Sequence, residues 1–429
     1  MNVIFFVIVL IAFLSAGWRQ INWAGGNGDM TPMEALSKGM IDSASGSVEL
    51  ALGLIGVMTL FLGLMKVAEE GGLLTILARL IRPVMIRLFP DVPADHPAMG
   101  SMILNMSANA MGLGNAATPF GIRAMQELNR LNSRPGTATD SMALFLAINT
   151  SNVTLLPTGV IALRAAAGSS DPAGILPTTL FATVCSTIAA IFAAKIYGRL
   201  PMFRKARPME VPRKEEETPG PGNDTTDESR AYPFWISSMA ICALLSLIPL
   251  TLLFGRAISP WIIPGLMLGF LCFGVARRVR IYEVFVEGAK EGFQVAVKII
   301  PYLVAILVAV GMFRASGAME VLVNLIGRFT TAVGMPAEAL PMALLRPLSG
   351  SGAYGIMASV INNPAIGPDS YTGYLVSTLQ GTTETTFYVL AVYFGAVQVR
   401  RIRHALAAAL TADLVGIAAA VAVCSVLFG

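Results

Sequence analysis

The stretches Asn149-Thr150-Ser151-Asn152-Val153-Thr154 and Gln380-Gly381-Thr382-Thr383-Glu384-Thr385 decide how this chain is to be read. Each sits in the middle of an apolar segment, 140–164 and 371–397, long enough to cross a bilayer. An unpaired polar group at that depth costs several kcal/mol, so two such runs point to groups kept there for a solute.

The surrounding composition agrees. Hydrophobic residues make up 55% of the 429 and charged ones 13%, with a mean hydropathy of +0.68. That is the balance of an integral membrane protein whose partner is the lipid bilayer. The net charge of +4 is small and its Lys and Arg cluster between apolar segments, which implies topology rather than a nucleic-acid partner. Cys185, Cys242, Cys272 and Cys424 fall in apolar runs without C-x-x-C spacing, and His96 and His404 are not spaced as ligands, so no metal site or cofactor is expected. H-E-x-x-H, G-x-S-x-G and paired catalytic carboxylates are absent, which argues against an enzyme.

A span needs roughly 20 mainly apolar residues. The segments that qualify are 2–18, 47–66, 140–164, 174–196, 232–254, 258–276, 294–315, 371–397 and 405–428. The first lacks a basic leader and a good cleavage site, so it reads as a membrane anchor. Residues 201–230, including Arg213-Lys214-Glu215-Glu216-Glu217-Thr218-Pro219-Gly220, are too polar to fold and read as a flexible linker between halves 1–200 and 231–429. The basic stretch Lys195 to Lys214 puts that linker, and with it the N-terminus, Arg277-Arg278-Val279-Arg280 and Arg400-Arg401-Ile402-Arg403, on the cytoplasmic side of the cell's inner (plasma) membrane.

Segments 98–126 and 338–365 are rich in Gly, Ala, Ser and Asn and are interrupted by Gly112-Leu113-Gly114-Asn115 and by Ser349-Gly350-Ser351-Gly352. Broken backbone at membrane depth is tolerated only under protein or water, so both read as re-entrant hairpins. Laying the halves over each other matches Gly39 with Gly288, Leu64-Met65-Lys66 with Met312-Phe313-Arg314, Leu104-Asn105 with Leu345-Arg346, and the two polar runs with each other. The span at 47–66 runs inward and that at 294–315 outward, so the hairpins enter from opposite sides. The expected fold is therefore an all-α membrane protein, an inverted-topology repeat with re-entrant hairpins and broken transmembrane helices.

Candidate solute-binding residues are Asn105, Ser107, Asn109 and Asn115 in the first hairpin and Arg346, Ser349 and Ser351 in the second. Asn149, Ser151, Asn152, Thr154, Gln380, Thr382, Thr383 and Glu384 join them from the polar runs. Amides offer donors and acceptors together and suit hydroxyls, base edges or carboxylates alike. Isolated Ser, Thr or Asn residues equally serve as glue between helices. Glu384 stands in a span otherwise uncharged from Tyr371 to Val399, and Arg346 is its natural partner. Asp413, in the last span, is a weaker candidate of the same kind.

The string Asn105-Met106-Ser107-Ala108-Asn109-Ala110-Met111-Gly112-Leu113-Gly114-Asn115-Ala116-Ala117-Thr118-Pro119 resembles the signature of the spore maturation A family, and Arg346-Pro347-Leu348-Ser349-Gly350-Ser351-Gly352 that of the spore maturation B family. The chain resembles a fusion of the two over nearly its whole length. Both belong to the nucleoside-recognition (Gate) group, which also takes in parts of concentrative nucleoside transporters and of ferrous iron transporter B. The resemblance implies a fold similar to the concentrative nucleoside transporter core. In those transporters a Gln/Asn-Thr-Glu element on a broken helix binds the nucleoside; Gln380-Gly381-Thr382-Thr383-Glu384 is similar but carries an extra Gly and Thr.

The expected function is secondary transport of a small polar organic solute, nucleoside-like or a small carboxylate. No G-x-x-x-x-G-K-[ST] loop is present, so any coupling falls to H⁺, Na⁺ or the solute gradient, with Glu384 the first candidate proton or cation carrier. The alternative is a non-transporting membrane scaffold or sensor with the same fold. Amphipathic helices at 72–89 and 318–333 suit a membrane interface or a homo-oligomer contact.

Overall fold

A computed structural model describes residues 2–23, 30–112, 114–151, 154–204, 263–321 and 333–429, with isolated positions between 232 and 261 and at 325 and 330. Among them the chain is helical, with one isolated bridge, Thr137 to Arg401, as its extended pairing. The expected linker beyond residue 204 and most of the span at 232–254 and of the amphipathic segment at 318–333 lie outside the described residues.

In the first half, α1 (Asn2–Ile21) precedes α2 (Pro32–Glu70), α3 (Leu73–Leu88), the helical hairpin α4 (Pro97–Ala110) and α5 (Gly114–Arg130), then α6 (Asp140–Ser151), α7 (Thr158–Ala166), α8 (Leu176–Arg199) and the short α9 (Pro201–Arg204). The second half holds α10 (Ile263–Ala276) and α11 (Ile281–Ala315). A short 3-10 turn (Ala337–Ala339) then leads to α12 (Leu340–Leu345), α13 (Gly350–Ile361), α14 (Tyr371–Thr382), α15 (Thr386–Ala396) and α16 (Ala405–Phe428).

Local sequence sets several of these boundaries. Thr31 and Glu34 form a reciprocal capping box with Pro32 in the first turn, so α2 begins well before the apolar stretch at 47–66. The helix runs on for 39 residues, about 58 Å at 1.5 Å per residue. That corrects the shorter span expected here, as does the 35-residue α11 for 294–315. Both exceed a hydrocarbon core of about 30 Å. Ser349 and Ser370 cap α13 and α14 by accepting from the N–H groups of Gly352 and Gly373, each at 3.0 Å.

α2 and α11 pack antiparallel, and glycines let them touch. A Cβ at Gly288 would meet the Leu62 carbonyl at 2.6 Å and the Gly63 Cα at 3.0 Å, while one at Gly39 would meet the Ala315 Cβ at 2.9 Å and the Gly311 carbonyl at 3.6 Å. The contacts are exchanged copies: Gly39 with Gly311 in one place, Gly288 with Gly63 in the other. A two-fold relation between the halves requires such an exchange.

α8 and α16 repeat the arrangement. Ser186 Oγ donates to the Ala412 carbonyl at 2.9 Å, while the α8 end at Gly198 lies against His404 at the α16 start. The broken helices follow suit. α6 starts beside Arg403 and α7 ends beside Asp369; α14 starts beside Arg164 and α15 ends beside Gly136 and Ala138. The first hairpin therefore hands the chain to one end of the molecule and the second to the other.

α8 and α16, 24 residues each, are long and apolar enough to cross a membrane. Around them Ile188, Phe192, Leu414 and Val426 are exposed, as expected of side chains that face lipid. Both hairpins pack inward; α4 and α13 are buried along most of their length rather than lying as surface loops.

Candidate functional site

The polar runs are where the helices break. α6 ends at Ser151 and α7 resumes at Thr158; α14 ends at Thr382 and α15 resumes at Thr386. A break exposes carbonyls on one side and N–H groups on the other, and here the two breaks partly satisfy each other. The Glu384 N–H donates to the Thr150 carbonyl at 2.8 Å. Each hairpin also contacts a break: the Leu155 N–H donates to the Ala110 carbonyl at 3.0 Å, and the Phe387 N–H to the Pro347 carbonyl at 3.1 Å.

On one side of that junction lies an amide cluster. Asn109 Nδ2 donates to Asn149 Oδ1 at 3.0 Å, and Asn149 Nδ2 to the Phe145 carbonyl at 2.9 Å. Asn105 Nδ2 reaches the Ala117 carbonyl at 2.7 Å across the hairpin. The Tyr393 hydroxyl, from the other half of the chain, accepts from Asn105 at 3.1 Å and donates to Asn149 Oδ1 at 3.3 Å. It occupies the space a side chain at Gly121 would take, and its ring stacks on Phe145 with centroids 6.0 Å apart. Asn105 is fully buried, yet its Oδ1 accepts no hydrogen bond from the described residues.

On the other side stands Arg346. Its Nε donates to the Gln380 carbonyl at 3.1 Å, one Nη to Thr385 Oγ1 at 3.3 Å and the other Nη to the Thr383 carbonyl. A buried guanidinium thus neutralises the carbonyl side of the second break. The same group lies 3.9 Å from Glu384 Oε2, the pairing expected from sequence. Arg346 is buried while the Glu384 side chain is 43% exposed, so the carboxylate is the accessible member of the pair. Tyr354, on the second hairpin, engages the Gln380 side chain, and its hydroxyl fills the space beside Gly159 on α7. Each half's hairpin and the other half's broken helix therefore meet through a tyrosine against a glycine.

Not every candidate residue reaches this region. Ser107 Oγ returns to the Ile103 carbonyl at 2.8 Å and Thr382 Oγ1 to the Thr378 carbonyl at 2.6 Å, both one turn back on their own helix. Ser151 Oγ joins the Ile148 carbonyl and Thr187 Oγ1, which fastens α6 to α8. Ser349 caps α13 and Ser351 is half-buried in its first turn. Thr154 is half-buried in the first break, Asn115 belongs to the first turn of α5, and Asn152 lies outside the described residues. Sequence reasoning missed Tyr354 and Tyr393; a tyrosine in an apolar helix carries no signal of where its hydroxyl will point.

The sequence pattern described as nucleoside recognition, Gate, matches residues 51–167 and 296–400. These segments fall in different halves of the molecule. The chain is also 47% identical to spore maturation protein B of Bacillus subtilis over 167 residues, which cover 39% of this chain and 93% of that protein. It is 44% identical to spore maturation protein A of the same organism over 165 residues, covering 38% of this chain and 84% of that one. Two solved structures run alongside nearly the whole chain. One is CNTnw in an inward-facing substrate-bound state, with a TM-score of 0.44 and 12% identity over 98% of this chain and 96% of that one. The other is the Alcanivorax borkumensis YdaH transporter, with a TM-score of 0.45 and 16% identity over 99% and 97%. Both are remote likenesses.

Proposed function

The chain belongs to the nucleoside-recognition (Gate) family, and from that premise we propose that it is a secondary membrane transporter of a small polar organic solute. The solute is a nucleoside-like molecule or a small carboxylate, bound where the two helix breaks meet. The observation that carries this reading is the hydrogen bond from the Glu384 N–H to the Thr150 carbonyl, which joins the breaks of two oppositely directed halves inside the protein. Around it, amides of Asn105, Asn109, Asn149 and Gln380 offer donors and acceptors, and the Arg346–Glu384 pair offers both charges.

Two halves related in this way can exchange conformations, so that the site faces first one side and then the other. Coupling is to H⁺ or Na⁺. The protein sits in the inner membrane with its N-terminus cytoplasmic, its halves 1–200 and 231–429 joined by the linker 201–230.

Uptake into liposomes, screened over nucleosides, nucleobases and dicarboxylates, tests this. Saturable uptake by the wild type, strongly reduced in Arg346→Ala and stripped of ion-driven accumulation in Glu384→Gln, is expected. Solute binding without flux would replace the transporter by a sensor or scaffold.

A further inference from the structure

Asp413, on α16, is a carboxylate the solute site does not use. It is 2% exposed. Its Oδ2 accepts from Thr386 Oγ1 at 2.7 Å, and its Oδ1 is buried without a hydrogen-bond partner among the described residues. An ionised carboxylate in that state carries a desolvation cost that one hydroxyl does not offset.

The charged and titratable groups around it are few. α16 packs against α6, α8, α14 and α15. α14 and α15 carry no charged residue, their titratable groups being Tyr371, Tyr374, Tyr388 and Tyr393. α6 contributes Asp140 at its start, and α8 contributes Cys185, Lys195, Tyr197 and Arg199. Tyr197 bonds Thr411, two residues before Asp413, at 3.0 Å. The cation that the contacts lead to is Arg346, which bonds Thr385 Oγ1 while the next residue, Thr386, bonds Asp413, and that guanidinium is already committed to three groups of the second break and to Glu384. Two carboxylates thus share one cation. With both ionised the group carries a net negative charge inside the protein; with one proton it is neutral, the cheaper state in a low dielectric.

We propose that Asp413 is a proton-binding site of the transporter, loaded while the two breaks are joined and emptied when the second break moves. The link is direct: Glu384, Thr385 and Thr386 are consecutive, and they touch Arg346, Arg346 and Asp413 respectively. When solute draws Glu384 away from Arg346, the guanidinium is released toward Asp413. The carboxyl O–H bond then breaks and the proton passes to water on the open side. A bound Na⁺ fits less well, because Asp413 offers a single unpartnered oxygen. This inference rests on the transport reading for its role, but not for its test.

Infrared spectroscopy of the purified protein at neutral pH reads the acid directly. A protonated-carboxyl stretch in the wild type that vanishes in Asp413→Asn is expected; its absence from the wild type, or its survival in Asp413→Asn, would overturn the site. Thr386→Val should keep the band at a higher frequency as the hydrogen bond is lost, which guards against a misfolded Asn variant; an unmoved band there would overturn the Thr386 contact as its anchor. In Glu384→Gln the released guanidinium should weaken the band, and an unchanged band would overturn the shared cation. Wild-type protein that moves no solute in liposomes yet shows the band would defeat transport and leave the proton site standing.

Discussion

Asp140-Ser141 and Asp369-Ser370 each open a broken helix, and each aspartate pairs with an arginine of the other half, at opposite ends of the molecule. Asp140 meets Arg403 at 2.7 Å, and Asp369 meets Arg164 at 3.1 Å. By distance the first pair is the better one. By surroundings it is the weaker: the Asp140 side chain is 61% exposed and lines a cleft of about 380 Å³ with Asp91, Asn132, Thr137 and Arg403. Arg164 is fully buried and donates also to the Pro368 and Asp171 carbonyls, Ser169 Oγ and Ser377 Oγ, with its guanidinium 4.2 Å above the Tyr374 ring. The protein is fastened at the Arg164 end and open at the Arg403 end. Burial and the number of hydrogen bonds, five from the Arg164 guanidinium although its Nε is unpartnered among the described residues, against those of Arg403 to Asp140 and to the Phe203 and Ala138 carbonyls, make the difference, not ion-pair length.

The sharpest way to break this comparison is Arg164→Ala. It leaves the Pro368 and Asp171 carbonyls without their guanidinium donor, at about 1–3 kcal/mol for each buried group left unsatisfied, while Asp369, 35% exposed, keeps its bonds from Ser169 and Ser170 and adds less. Thermal unfolding in detergent should show a large drop, and a cysteine placed at Ser170 should label faster. A variant as stable as the wild type would mean that the Arg164 end is not a fastening.

Acid should separate the ends by pH. His404, buried beside Arg403 and Asp140, is held below its ordinary value of 6.5 by burial first and by the Arg403 charge second, against Asp140. The unfolded chain therefore takes up that proton first, and stability at the Arg403 end declines as pH falls below about 6.5. Burial pushes Asp369 up, but bonds from Ser169 and Ser170 and the Arg164 charge outweigh it and leave the carboxyl below its ordinary 3.8. Its contribution is complete above that value and is lost only as pH falls further, through the folded value. Hydrogen exchange followed across pH 7 to 3 should show residues 136–140 and 400–404 loosening before 168–171 and 368–370. The reverse order would contradict the assignment.

Ser170→Ala removes a 2.7 Å hydroxyl bond to a partly exposed carboxylate, worth about 1 kcal/mol. A calorimetric shift well below that of Arg164→Ala is expected. Asp140→Asn should have the smallest effect, about 0–1 kcal/mol and weaker still in high salt. A loss as large as that of Arg164→Ala would erase the asymmetry.

Much of this architecture was legible because the signals were local. Polar runs inside apolar spans marked the breaks at Ser151–Thr158 and Thr382–Thr386, and interrupted Gly-rich segments marked the hairpins. Arg346 and Glu384 stood out as charges in uncharged surroundings and do meet. Arg164 gave the opposite lesson: nothing singled it out at the end of the apolar stretch 140–164, yet it is fully buried. Ser107, Ser349 and Thr382 stood beside Asn109 and Asn149 as candidates, but their hydroxyls bond within their own helices.

Hydropathy, charge bias and the paired motifs by themselves determined a helical membrane protein in two oppositely directed halves with a polar break in each, because those properties follow from the cost of polar groups in an apolar medium. The tertiary structure decided what each break touches: that Tyr393 and Tyr354 cross to the other half, that Asp413 lies against Thr386, and that one end is fastened while the other opens. The pairings that cross between the halves join residues some 200 to 300 positions apart, as in the Asn105–Tyr393 and Arg164–Asp369 contacts. They depend on the close antiparallel approach of α2 to α11 and of α8 to α16, which no local pattern encodes.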